Sequence, residues 1–339
     1  MFRLGIVIDD NWRFFSELYE DLENHYNPKI FKKRTFNLPI FNARINRLLF
    51  DRDLNTFLKS NDVILFEWAN ELLATATQLP KQSAIVVRLH RYEMYEWVNR
   101  INWELVDKII LVSRAKEKEF INRFPSLVNK TIVIPVGINT NRFETKVKKF
   151  NGNIGILCDL KPRKRVYDLI LGFYELLQKD NSFHLHIGGG PDSVYDDYYL
   201  AILDVINMLK LQEKVTLYGN VTETEKWYQN IDIFISNSYS EGLQVAPMEA
   251  MASGCYCLSH FWNGADELLP KKYLFFSSDE LNQKILQYSS KSEGEKQEIL
   301  SFMRNHVCEN FNIESVKNKI RTVLEDTANT IIAKDGSRQ

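Results

Sequence analysis

The feature that most constrains this chain is a series of short, unbroken apolar runs: RLGIVI, DVILFEW, AIVVRLH, KIILVS and TIVIPV. Each has the length of a strand and is rich in β-branched residues, and helix-length sequence separates several of them. A strand with one wet face alternates apolar and polar residues, whereas a run that is apolar throughout predicts a strand covered on both faces. That is the pattern of a parallel sheet with helices on either side, so an α/β layer fold is expected. The rhythm pauses at NTNRFETKVKKFNGN, residues 139–153, and restarts with NIGILCDL, SFHLHIGG, KVTLYG, IDIFISN and CYCLSH. Two doubly wound domains are therefore expected, over residues 1–145 and 146–310, joined by a linker near 140–152. Residues 311–339 read as a closing helix, packing back toward the first domain, followed by a loose tail.

Composition narrows the function classes. Apolar residues make up 45% of 339, enough for two cores, and the formal net charge of −1 gives no polyanion-binding signature. No nucleic acid partner is expected. Cys158, Cys255, Cys257 and Cys308 are scattered without a second Cys/His pair at zinc spacing, so CYC reads as strand. MFRLGIVIDD opens on a strand and a polar turn rather than a leader, and no run of about 18 apolar residues is present. A cytoplasmic protein is expected.

In open α/β sheets, ligands bind at loops that follow the strands, and paired domains present two such rims to a cleft. One of these loops is SEGLQVAPMEAMASG, residues 240–254. Gly242 supplies a turn, Pro247 fits a first helical turn where no N–H is needed, and Gly254 fits the left-handed position that ends a helix. A helix start here offers free N–H groups and a positive dipole end, suited to a diphosphate. Glu241 lies just outside the helix and Glu249 about two turns in, on the same face if the eight-position step between them is helical. Carboxylates so placed suit vicinal hydroxyls. The alternative is that Glu241 caps the helix and Glu249 is solvated.

At these residues the chain resembles the retaining GT-B glycosyltransferases of family 4, the glycosyl transferases group 1 type, with their E-x7-E signature. KVTLYGNVTETEKWYQNIDIFISNSYSEGLQVAPMEAMASG, GILCDLKPRKRVYDLILGF and HLHIGGGPD follow the family in order, as do DKIILVSRAKEKEF and KTIVIPVGINTNRF in the first half. The resemblance implies two Rossmann-like domains facing a central cleft, with the acceptor on the first and the nucleotide-sugar donor on the second. It places Glu241 near donor-sugar hydroxyls, the backbone of Gly242, Leu243, Gln244 and Val245 on sugar and phosphate, and Glu249 on the ribose. Lys164 takes the position of the family's diphosphate lysine, Gly188 and Gly189 its glycine-rich turn, Val221 the base-binding loop, and His90 a histidine that borders the sugar. The family's usual arginine is missing where Cys158 and Asp159 stand, and Arg163 or Arg165 is its candidate substitute, although KPRKR also reads as a solvated basic turn. Gln244 stands where a glycine is common, and DDNWRFF replaces the usual glycine-rich first loop.

The expected activity is metal-independent, retaining transfer of a hexose-type sugar from a UDP- or GDP-type nucleotide, with no cofactor, to a glycan, lipid-linked or small-molecule acceptor. DRD, residues 51–53, opens a helix-like segment in the other domain, which argues against a metal role. The stretch 29–52, with seven Lys/Arg against one Asp, reads either as contact with an anionic surface on the cytoplasmic membrane face or as a solvated face. Other readings are a non-catalytic sugar-nucleotide-binding or scaffolding subunit, favoured by the altered loops, and a nucleotide-sugar epimerase on the same scaffold. GGG, residues 188–190, lacks the spaced fingerprint of a nicotinamide oxidoreductase.

Overall fold

The computed structural model describes residues 2–9, 12, 15–34, 42–145 and 149–336, of which 42–43 and 331–336 are described as backbone. Parts of the DDNWRFF loop, of the basic stretch 29–52, of the polar stretch 139–153 and of the tail lie outside these residues. The chain divides into two compact units, residues 1–136 with 313–339, and residues 137–312.

The first unit holds, among the described residues, a six-stranded parallel sheet: β1 (Leu4–Val7), β2 (Lys29–Ile30), β3 (Val63–Phe66), β4 (Ala84–Leu89), β5 (Lys108–Leu111) and β6 (Thr131–Val133), in the order β2-β1-β3-β4-β5-β6. The unbroken apolar runs are explained by its two cores. Ile64 and Phe66 face one, with Leu54 and Leu58 of the helix Asn42–Lys59. Val63 and Leu65 face the other, with Leu18 and Leu22 of the helix Ser16–Tyr26 and Ile320 and Leu324 of the helix Ile313–Gly336. That last helix groups with the first unit although it follows the second in sequence. Arg321 pairs with Asp21, and the Tyr26 hydroxyl donates to Glu325 at 2.6 Å, tying it to Ser16–Tyr26.

The second unit holds β7 (Asn153–Leu157), β8 (His184–Gly188), β9 (Val215–Leu217), β10 (Ile233–Ser236), β11 (Tyr256–His260) and β12 (Leu274–Phe275), parallel in the order β12-β11-β10-β7-β8-β9. From β7 the chain builds outward through β8 and β9, then returns to β10 on the other side. The direction of winding therefore reverses between β7 and β10, and the loops leaving their C-terminal ends splay apart there.

Composition put the domain boundary at 145, but the first compact unit ends at Val136. The polar residues beyond it look like linker because their apolar content is low. Many are nonetheless fixed within the second unit: Ile138 bridges Asn312, and the amides of Asn151 and Asn153 donate to Asp232 at 3.0 and 2.9 Å. DRD lies inside the helix Asn42–Lys59, where Asp53 is held by Arg34 at 2.7 Å. Among the described residues no helix is long and apolar enough to cross a membrane.

His184 and His186 pack ring against ring on β8, centroids 4.6 Å apart. His186 reaches Tyr218 Oη at 2.8 Å and Asn153 Oδ1 at 3.1 Å. Burial, with a smaller push from His184, lowers its pKa to about 4. The unfolded chain titrates nearer 6.5, so between these values it binds more protons than the fold, and stability falls as pH falls. Urea unfolding should show the wild type losing stability between pH 6.5 and 4.5 more steeply than His186→Gln; parallel losses would remove His186 as the cause.

Candidate functional site

The two loops at the reversal of the second sheet carry the charged residues singled out from the sequence. After β7, Pro162–Lys164 forms a single 3₁₀ turn, Arg165 adopts a left-handed conformation (φ 52°, ψ 39°), and the helix Val166–Lys179 follows. After β10, residues 237–244 lead into the helix Val245–Ala252. Three hydrogen bonds onto backbone carbonyls stitch these loops together. Arg163 Nη1 donates to the Ser240 carbonyl at 2.8 Å, the Tyr239 amide to the Arg163 carbonyl at 3.3 Å, and Asn237 Nδ2 to the Arg165 carbonyl at 2.9 Å.

Glu241 sits at the junction, 8% exposed. Its Oε1 lies 2.5 Å from Arg163 Nη1 and 2.7 Å from Lys164 Nζ, and accepts from Gln244 Nε2 at 3.1 Å. Burial alone would raise this carboxyl, but Lys164 and Arg163 outweigh it and hold the pKa at about 2. KPRKR is therefore not simply a solvated turn: two of its cations are committed to one carboxylate. The neighbouring Cys158 thiol is pushed up by burial to about 12, which disfavours its thiolate form.

The helix begins later than the sequence suggested. Its first residue is Val245, Pro247 is in the first turn, and Gly254 takes φ 80° just past the end. Glu249 is thus about one turn inside rather than two, and Glu241 precedes the helix by a non-helical stretch, so helical spacing does not relate their directions. Gln244 stands at the N-cap position and makes no capping hydrogen bond; Glu241, pinned by Lys164 and Arg163, is not a cap either. Glu249 Oε2 accepts from the fully buried Tyr228 hydroxyl at 3.1 Å, and burial followed by the Glu249 charge raises that phenol well above its usual range.

The glycine-rich turn continues the same rim. Gly189 has φ 135°, and a Cβ there would lie 1.8 Å from the Cys158 carbonyl oxygen, so only glycine lets β8 leave the sheet this close to β7. Its amide donates to the Gly219 carbonyl at 2.7 Å, and Val221 packs close to Gly188 in the loop after β9. Gly188 ends β8, and Arg163, Lys164, Gly189, Val221, Glu241, Gly242, Leu243, Gln244, Val245 and Glu249 lie in the loops beyond the C-terminal ends of the second sheet, or in the first turns of the helix that follows β10.

His90 belongs to the first unit, at the end of β4. Its ring packs on Trp68, centroids 4.4 Å apart, and Nε2 lies 3.3 Å from Glu67 Oε1. Sequence reasoning missed Glu67 and Arg88, 0% and 2% exposed, although each is a charge inside a largely apolar run, DVILFEW and AIVVRLH. It also missed the side chain of Gln244, which accepts from Ser236 Oγ at 2.5 Å and donates to Ser238 Oγ at 3.1 Å.

Residues 151–290, all in the second unit, match the family model Glycosyl transferases group 1, so the resemblance read from the sequence holds at the level of that family. The α-monoglucosyldiacylglycerol synthase of Streptococcus pneumoniae is 26% identical over 146 residues, 38% of this chain and 32% of that protein. The poly(ribitol-phosphate) α-N-acetylglucosaminyltransferase of Staphylococcus aureus is 29% identical over 153 residues, 45% of this chain and 29% of that protein. The chain thus spans about a third of the length of these curated relatives. Anabaena HepE, crystallised with UDP, superposes with a TM-score of 0.78 at 18% identity, covering 96% of this chain and all of that one. Sucrose-phosphate synthase of Thermosynechococcus elongatus gives 0.75 at 14% identity, covering 96% and 98%. The fold is GT-B.

Gln244→Ala would strip Glu241 of one donor and leave buried Ser236 and Ser238 short of partners. A loss of about 1–3 kcal/mol in urea unfolding is expected; an unchanged midpoint would show that the amide network carries no stability.

Proposed function

Taking the glycosyl transferases group 1 domain of residues 151–290 as the premise, we propose that this chain is a retaining family 4 glycosyltransferase. It moves a hexose-type sugar from a UDP- or GDP-type nucleotide, without metal, to a glycan, lipid-linked or small-molecule acceptor. The observation that carries this reading is the convergence of Arg163, Lys164 and Glu241 where the second sheet reverses, just before a helix N-terminus.

The chemistry follows from what each group offers. The amides opening Val245–Ala252 suit a diphosphate. Lys164 and Arg163 supply positive charge where it accumulates as the bond from sugar carbon to phosphate oxygen breaks. A new bond forms from the acceptor oxygen to that carbon on the same face, and the acceptor proton passes to the departing phosphate. Glu241, its Oε1 tied by cations, presents its other oxygen to sugar hydroxyls and acts electrostatically rather than as a nucleophile. Glu249 takes ribose hydroxyls beside Tyr228, and Val221 lies beside the base. The names of both curated relatives specify α-linked products, and HepE was crystallised with UDP-glucose, which supports retention and a uridine donor. We take the basic stretch 29–52 as facing an anionic membrane surface on the cytoplasmic side, with the acceptor on the first unit near His90.

Two variants test the reading. Lys164→Ala should weaken nucleoside diphosphate binding at least about tenfold in calorimetry, while nucleoside binding holds, because a charge-assisted contact to phosphate is lost. Glu241→Ala frees Lys164 and Arg163, so diphosphate affinity should not fall, while turnover of the sugar nucleotide drops about 10²-fold. Unchanged turnover would favour a non-catalytic sugar-nucleotide-binding subunit instead, and conversion of the sugar nucleotide without transfer would favour an epimerase.

A further inference from the structure

The first unit buries an ion pair that the proposed transfer does not use. Arg88, on β4, is 2% exposed and Glu67, just past β3, is 0% exposed. Arg88 Nη1 reaches both Glu67 oxygens, at 2.7 and 2.8 Å. Desolvating two charges is expensive, and an apolar pair of similar volume would often serve stability as well or better. The pair therefore calls for an account beyond stability, and the third member of the cluster supplies one. His90 Nε2 lies 3.3 Å from the same Glu67 Oε1 that takes the shorter Arg88 contact.

We propose that Glu67 is a positioning residue that fixes the His90 ring in its Nε2–H tautomer, making Nδ1 the nitrogen that accepts a hydrogen bond from a hydroxyl of a ligand bound on the first unit at this end of β4. A carboxylate paired with a guanidinium offers lone pairs only, so the imidazole nitrogen facing it must carry the proton. In a neutral ring the other nitrogen is then unprotonated, and the choice is set by the partner rather than by the ring. Trp68 holds the imidazole from the side, so the ring has little freedom to turn. The side chain of His90 is 13% exposed, so the ring is not closed off from a ligand. The other carboxyl near the ring is Glu93, 1% exposed, whose Oε2 is buried without a hydrogen-bond partner among the described residues. Burial raises the pKa of Glu93, so it competes poorly as an acceptor for the ring proton. Arg88 keeps Glu67 oriented, and Glu67 orients His90. The tautomer assignment stands on this geometry alone; its role toward a ligand hydroxyl rests on the proposed transfer, with the acceptor on the first unit near His90.

The test is two-bond ¹H–¹⁵N correlation spectroscopy of the full chain labelled in its six histidines, with His90 assigned by loss of its signals in His90→Gln. The wild type, which needs no substitution to be read, should show neutral His90 as the Nε2–H form. Glu67→Gln, whose amide can either donate or accept, should mix the two tautomers, whereas Glu93→Gln should leave the Nε2–H form in place. Turnover of a sugar nucleotide by Glu67→Gln should fall about tenfold or more, in the range typical of residues that orient a functional histidine, with nucleoside diphosphate affinity unchanged. Nδ1–H in the wild type, or an unmixed Nε2–H form in Glu67→Gln, overturns the assignment. Unchanged turnover in a tautomer-mixed Glu67→Gln overturns the positioning role. A wild type with the expected tautomer that turns over no sugar nucleotide contradicts the proposed transfer and leaves the tautomer assignment standing.

Discussion

The second unit depends on one buried carboxylate oxygen. Glu241 Oε1 gathers Arg163, Lys164 and Gln244, and those contacts join the loop after β7 to the loop after β10. Sheet topology makes the meeting possible, because β7 and β10 are neighbours whose following loops belong to opposite winding directions. A carboxylate this buried would ordinarily protonate rather than pay for desolvation. Two cations reverse that balance and hold the pKa at about 2, so the charge persists at any physiological pH. The result is a dense, preorganised arrangement of opposite charges beside a helix N-terminus, which is the kind of arrangement that stabilises charge developing in a reaction.

The first unit solves a different problem with the same devices. Glu67 and Arg88 are placed in largely apolar strand-like runs, and they pair there through Arg88 Nη1, while Arg88 Nε is buried without a hydrogen-bond partner among the described residues. Removing one partner would leave a bare buried charge, at a cost of about 3–5 kcal/mol. That coupling ties the orientation of a histidine at the strand end to the integrity of the core beneath it.

Much of the fold was legible in the sequence because covered parallel strands cannot hide: runs such as AIVVRLH and IDIFISN have no wet face to encode. The two-residue strands β2 and β12 went unread, since so short a run carries no periodicity. The polar stretch 139–153 misled because composition cannot show that Asp232 will collect its amides. In the site, residue types were readable but directions were not. Glu241 and Glu249 were related by an ideal helix that in fact starts only at Val245. Glu67, Arg88 and Gln244 act through partners distant in sequence or through a folded-back side chain, which no local pattern announces.

The proposed function requires that a nucleotide sugar be held by the loops after β7 and β10 of the second unit. Hydrogen exchange of the full chain, read by mass spectrometry with and without a UDP- or GDP-linked hexose, tests it most directly. Binding should slow exchange in segments covering residues 158–166 and 237–249, with weaker effects near 188–190 and 219–221. Saturating ligand that leaves both principal segments unprotected while protecting other parts of the chain would contradict it.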